Sequence, residues 1–370
     1  MLPVRCGCIM LPIMENSDLE PGVEIRVVHA AHRRAVLTRI VVAADPIDGE
    51  STVEQLLSAL ETGKASPEGL LEAVASPDQR PLAAMFGYAL PGGRQAMVFP
   101  PIVFQPPVGQ PGVGQPGVAD DASSEIVARL GQCLESHLRN SACLVAQVVV
   151  ATRDPRQEIR LQQLGFQYLA QLVYMYRLAA ADSVPEAKPG SSNASVSHEK
   201  NTPDATVVPG AHSDGELCFV PSSARSSADL HDVVERTYTG SRDCPAIDGL
   251  RTTADVLDGY RHTGRFSPDH WFLVECQGQT VGCLLLTEHA EHQWELIYMG
   301  VVPTSRGRGW GERIARFAWR HVRSCGGEQL VLAVDADNEP ALAMYRRAGF
   351  ADWAHRHVYF KPLSTAMPSA

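Results

Sequence analysis

Two short stretches in the second half of the chain carry residues that could do chemistry together. The first is Arg306-Gly307-Arg308-Gly309-Trp310-Gly311. It follows an apolar run of strand length, 294–302, and it opens a helix over 312–324. A helix start offers unpaired backbone N–H groups at the positive end of its dipole. Glycines beside it let the backbone come close to a bulky anion, so the stretch reads as a phosphate loop. A dinucleotide fingerprint does not fit: from Gly307 the third glycine would fall at Glu312, and from Gly309 at Ile314. A Walker loop needs a lysine, and none is present. What remains is Arg306-x-x-Gly309-x-Gly311.

The second set is an acid and a hydroxyl. Glu295 opens the apolar strand, where a half-buried carboxylate can draw a proton from an ammonium, directly or through water. Tyr345 stands near the end of a helix that begins at Asn338-Glu339-Pro340, and its hydroxyl could return a proton to a leaving group. Each has a plainer reading: Glu295 as half of a strand-end salt bridge, Tyr345 as a core tyrosine.

The loop spacing resembles the pyrophosphate loop of the GCN5-related N-acetyltransferases, the GNAT superfamily. Glu295 precedes Arg306 by eleven residues, as the strand glutamate of that family precedes its loop. Asn338, Ala341 and Tyr345 match the family's Asn-x-x-Ala-x-x-x-Tyr. The resemblance implies acetyl-CoA as co-substrate, with no metal. It would be held by Val301, Val302, Arg306, Gly307, Arg308, Gly309, Trp310, Gly311 and Asn338. It also implies Glu295 as general base and Tyr345 as general acid. Gly300 is expected to form a bulge that splays the strand and frees the backbone of Val301 and Val302 for the pantetheine arm. The implied acceptor is a small-molecule primary amine. A peptide or protein acceptor, and a regulatory protein that binds acetyl-CoA without turnover, stay open. Asp243, Asp248 and Arg251 could meet a polar acceptor.

The elements around these residues read as an α/β (α+β) fold. Two tandem GNAT-like lobes are expected, each a mixed, mostly antiparallel sheet flanked by helices. Residues 1–22 read as a loose terminus, 23–178 as a degenerate lobe, 179–215 as a flexible linker and 216–365 as the active lobe. In the first lobe, 23–42 suggests strand, short helix, strand; 51–60 and 67–74 read as helices; 82–90 and 94–103 read as strands. The Pro- and Gly-rich repeat at 105–118 lacks the phosphate spacing, and Pro111 and Pro116 remove donors. Leu161-Gln162-Gln163-Leu164-Gly165-Phe166 parallels Tyr345-Arg346-Arg347-Ala348-Gly349-Phe350 at an offset of 184 residues. In the second lobe, 241–268 reads as a long polar connection.

A length of 370 residues suggests two domains, and the formal net charge of −10 argues against nucleic acid as the main partner. Nine dispersed cysteines fit reduced thiols in a cytoplasmic protein. No metal site is expected: Glu288-His289-Ala290-Glu291-His292 is not His-Glu-x-x-His, and His355-Arg356-His357 reads as surface. No apolar run is long enough to span a membrane. The oligomeric state has no signature.

Overall fold

A computed structural model describes residues 22–46, 49–92, 94–104, 118–179, 212–214, 216–290 and 292–363. The expected loose terminus, the Pro-Gly repeat with Pro111 and Pro116, and most of the linker lie outside them. The chain divides into two compact units. One comprises residues 1–89, 97–142 and 153–166; the other comprises 90–96, 143–152 and 167–370.

The first unit holds β1 (Val23–Val27), α1 (Arg33–Ala44), α2 (Gly49–Glu61), β2 (Leu70–Ala75), β3 (Arg80–Ala89), β4 (Gln95–Val103), α3 (Val118–Asn140) and α4 (Pro155–Gln163). Its strands lie in the order β1-β2-β3-β4. Leu37, Ile40, Val53, Leu56, Leu70 and Phe86 form its core. Two expectations change here. The second strand expected within 23–42 is the end of α1. Val36, Leu37, Ile40, Val41 and Ala44 are buried at helical spacing, and that period overrides the β-branched run. The helix expected at 67–74 is a 3₁₀ turn, Pro67–Gly69, followed by β2, whose first five residues are all buried. A continuously buried strand has no alternation to betray it.

The second unit holds β5 (Val145–Val150), β6 (Gln167–Leu178), β7 (His212–Asp214), β8 (Leu217–Pro221), α5 (Ser227–Tyr238), α6 (Thr253–Arg261), β9 (Trp271–Cys276) and β10 (Gln279–Glu288). It continues with β11 (Gln293–Val301), α7 (Trp310–Ser324), β12 (Gln329–Asp335), α8 (Glu339–Arg347) and β13 (Ala351–Pro362). Its sheet runs β5-β13-β6-β12-β11-β10-β9-β8-β7. Among the described residues of this sheet, only β11 and β12 pair in parallel. One face is covered by α7 and α8, where Ile314, Ala318 and Val322 pack with Trp294, Leu296 and Leu330. The other is covered by α5 and α6, where Leu230, Val234 and Leu257 meet Leu273, Cys283 and Leu285.

Helix α5 starts at a capping box, Ser226 with Asp229. The region expected to be a polar connection contains α6, which starts at a second such box, Thr252 with Asp255. The repeat extends to whole elements. The 184-residue offset carries the bounds of α4 onto those of α8 and those of β6 onto those of β13. Yet β6, which ends the first copy, pairs with β12 along Leu172–Leu178 and with β13 along most of its length. Strand β13 in turn pairs with β5.

Candidate active site

The site is built where two parallel neighbours stop pairing. Strands β11 and β12 are paired only from Gln293–Glu295 to Gln329–Val331. Beyond that point residues 296–301 of one and Ala333 and Val334 of the other line a cleft of about 530 Å³. The break in β11 comes at Ile297. Leu285 faces Tyr298 and the next residue, Leu286, faces Leu296, so Ile297 is the extra residue of a bulge. Gly300 was the residue expected to bulge, and it does not. Its role is close approach: a Cβ there would lie 2.5 Å from the Thr237 Cβ, so the glycine lets α5 pack onto the strand.

Below the cleft lies the glycine loop. Gly307 and Gly309 have φ of +78° and +74°, which other residues rarely adopt, and a Cβ at either would point into open space. Gly309 is the N-cap of α7 and supplies no side chain to the first turn. The helix's leading N–H groups are therefore left for an anion. Trp310 lines the cleft while 4% exposed, in the core cluster, and the Arg308 guanidinium lies 5.1 Å from the centroid of its ring. Arg308 does not line the cleft.

Arg306 also lines it, but three of its five N–H donors are taken by carbonyls. Nε donates to Val301 at 3.0 Å, Nη1 to Gly240 at 2.8 Å and Nη2 to Thr237 at 2.9 Å. Its charge closes the C-terminal end of α5, where a cation is favoured, and locks the loop to that helix. Glu312 accepts from Arg316 at 3.1 Å and Arg347 at 2.9 Å. The Arg347 bond is the main reason its carboxyl is held below the usual range. Arg347 and Arg242 both line the cleft, and sequence reasoning assigned neither to the site.

Val301 lines the cleft, but Val302 does not. The amide of Val302 donates to Val281 at 3.0 Å, its carbonyl accepts from Ser305 at 2.9 Å, and its side chain is buried. The Val302 amide is therefore engaged by the neighbouring strand rather than free as expected. Asn338 sits at the N-cap position of α8 without a side-chain cap bond and lines the cleft. Tyr345 lines the same space while 6% exposed. Burial, and then the Asp243 carboxylate, push its hydroxyl pKa up, so it is held protonated.

Glu295 belongs to the last residue pair before the strands part, and it does not line the cleft. Its Oε2 lies 2.8 Å from His289 Nε2. That hydrogen bond is the main reason the His289 pKa is raised above 6.5. Asp243 does line the cleft. Its Oδ1 accepts from the Asp335 amide at 3.0 Å, while Asp335 Oδ2 accepts from the Cys244 amide at 3.1 Å. The surrounding protein raises the Asp243 pKa by desolvation, helped by the charges of Asp335 and Asp248. Asp248 and Arg251 do not line the cleft.

A cleft between two parting parallel strands, floored by a glycine loop at a helix start, defines the class. Residues 234–350 match the Acetyltransferase (GNAT) family. The chain resembles the mycothiol acetyltransferases. The one from Streptomyces bingchenggensis is 37% identical over 95 residues, covering 25% of this chain and 31% of that protein. The one from Corynebacterium glutamicum is 34% identical over 83 residues, covering 22% and 28%. The chain thus matches under a third of these relatives' length. In fold it is similar to a GCN5-related N-acetyltransferase from Sphaerobacter thermophilus. There the TM-score is 0.56 at 17% identity, covering 94% of this chain and 98% of that one. A fungal glucosamine N-acetyltransferase region gives a TM-score of 0.52 at 11% identity, covering 92% and 38%. Among the described residues, no helix is long and apolar enough to cross a membrane.

Proposed function

We propose that the second unit transfers an acetyl group from acetyl-CoA to the primary amine of a small molecule. The observation that carries this reading is the continuity of the cleft, which runs from the glycine loop at the start of α7 to Tyr345. The pyrophosphate sits on the N–H groups at the start of α7. The pantetheine arm follows Val301 and Asn338 into the gap, and the thioester reaches Tyr345. The amine nitrogen attacks the thioester carbonyl, the C–S bond breaks, and the Tyr345 hydroxyl protonates the thiolate. Glu295, steadied by His289, takes the amine's proton through a water at the apex of the gap. The names of the curated relatives favour a small acceptor.

A second reading of the base rests on Asp243. It lines the cleft, and its raised pKa brings its proton affinity closer to that of a useful base near neutral pH. Thiol release from acetyl-CoA separates the two, with amino-sugars, cysteinyl conjugates and peptides as acceptors. Glu295→Gln is expected to slow turnover by roughly 10²- to 10⁴-fold, the usual size of a general-base effect. The loss should partly recover at high pH, where more amine is neutral. Asp243→Asn is expected to act mainly on the acceptor KM. The reverse pattern moves the base to Asp243. Release with peptides alone would make the protein a peptide acetyltransferase. Acetyl-CoA binding with no release for any acceptor would leave a regulatory binder.

A further inference from the structure

Far along α7 from the glycine loop, three metal-ligating side chains meet without a task in acetyl transfer. His321 is in the last turn of α7, and Cys325 follows at its C-cap, four residues on and on the same face. His270 ends the 3₁₀ turn Pro268–His270 that leads into β9. The His270 Nδ1 to His321 Nε2 distance is 3.0 Å, and the Cys325 Sγ to His321 Nε2 distance is 3.7 Å. One ligating atom from each of the three lies within 4.8 Å of the others.

A hydrogen bond accounts for one of these contacts at His321 Nε2 but not for both. An imidazole nitrogen carries one hydrogen or one lone pair, in the ring plane. The Nε2 of His321 is approached from two directions and can serve one of them. A cation serves both. With Zn–N of about 2.0–2.1 Å and Zn–S of about 2.3 Å, tetrahedral ligands stand roughly 3.3 Å (N to N) and 3.6 Å (N to S) apart. The observed spacings lie within a few tenths of an ångström of both. Aromatic rings close the surroundings: His270 is edge-on to Trp294 at 4.7 Å, and Phe272 is edge-on to His321 at 4.9 Å.

We infer that His270, His321 and Cys325 form a zinc-binding site that ties the end of α7 to the start of β9. Two imidazoles and a thiolate are a donor set for Zn²⁺ rather than for Mg²⁺ or Ca²⁺. On binding, the Cys325 thiol loses its proton to solvent and forms the S–Zn bond. Each imidazole keeps its one proton, on the ring nitrogen away from the metal, so the net release is one proton. The Glu288 carboxylate, paired with Arg265 at 3.1 Å, lies close enough to act electrostatically on both His270 and Cys325.

The test uses the full chain, loaded with Zn²⁺ and dialysed against metal-free buffer. Elemental analysis should find one zinc per chain in the wild type and none in Cys325→Ser or His321→Gln. Cys325 is exposed, so its serine variant keeps the fold, which a circular-dichroism melt verifies. With Co²⁺ in place of zinc, the wild type should show a thiolate-to-cobalt charge-transfer band that Cys325→Ser lacks. No retained zinc in the wild type, or a cobalt spectrum unchanged by Cys325→Ser, overturns the site.

Discussion

Glu295 and Tyr345 could be singled out as candidates because their evidence is local: fixed distances along the chain to Arg306 and to Asn338. Groups whose role depends on a distant partner were not. Nothing near Val302 in sequence says that its amide is taken by Val281 on the neighbouring strand. Arg347 and Arg242 likewise join the cleft only through folding. Two outcomes follow at this scale. In an NMR titration His289 should show a midpoint above 6.5 that falls back toward it in Glu295→Gln, because the hydrogen bond to Glu295 is the main cause of the shift. The sign for stability follows. The pair's contribution is full below the unfolded value of 6.5 and is lost as pH rises through the raised native value. Both side chains are about a third exposed, so the effect is small. An unshifted His289 would remove it as the partner that steadies Glu295. Tyr345→Phe should lower kcat less than Glu295→Gln does, since a thiolate leaves fairly well near neutral pH. Raising the pH should not rescue it, because the lost group donates a proton; recovery at high pH would deny the tyrosine this role.

Elements with a strong local signal are legible in the sequence: α7 carries Ile314, Ala318 and Val322 at helical spacing, and α5 has Ser226 in capping position. The Thr252-x-x-Asp255 box could have revealed α6, but the polar residues around it hid a short helix. Strand β2 was lost for the opposite reason, since uniform burial carries no period. The pairing of β6 was beyond sequence, because two copies of one motif offer the same strand to two neighbours. That pairing has a cost if disturbed. Met175 of β6 is fully buried in the core that includes Trp319 and Phe350. Met175→Ala should lower stability by about 2–5 kcal/mol, read from the urea midpoint. A change under about 0.5 kcal/mol would mean that β6 is not anchored there. Gly300→Ala forces a methyl group against Thr237 and should cost about 1–3 kcal/mol by the same assay.

The whole molecule carries a net charge of −10, which at long range repels a polyanion such as acetyl-CoA. Binding must therefore rest on a local concentration of positive potential. The second unit provides it through the start of α7, with Arg242, Arg306 and Arg347 along the cleft. The central claim is that this loop holds the cofactor, and calorimetric titration of acetyl-CoA into the full chain and its Gly309→Asp variant tests it most directly. A side chain at Gly309 meets nothing within 4 Å, and aspartate tolerates a positive φ better than most residues, so the fold should survive. A carboxylate about 5 Å from a phosphate, at an effective dielectric of about 20, opposes binding by about 3 kcal/mol. The account predicts tight binding by the wild type and an affinity lower by roughly a hundredfold or more in the folded variant. Equal affinity in the two proteins would contradict it.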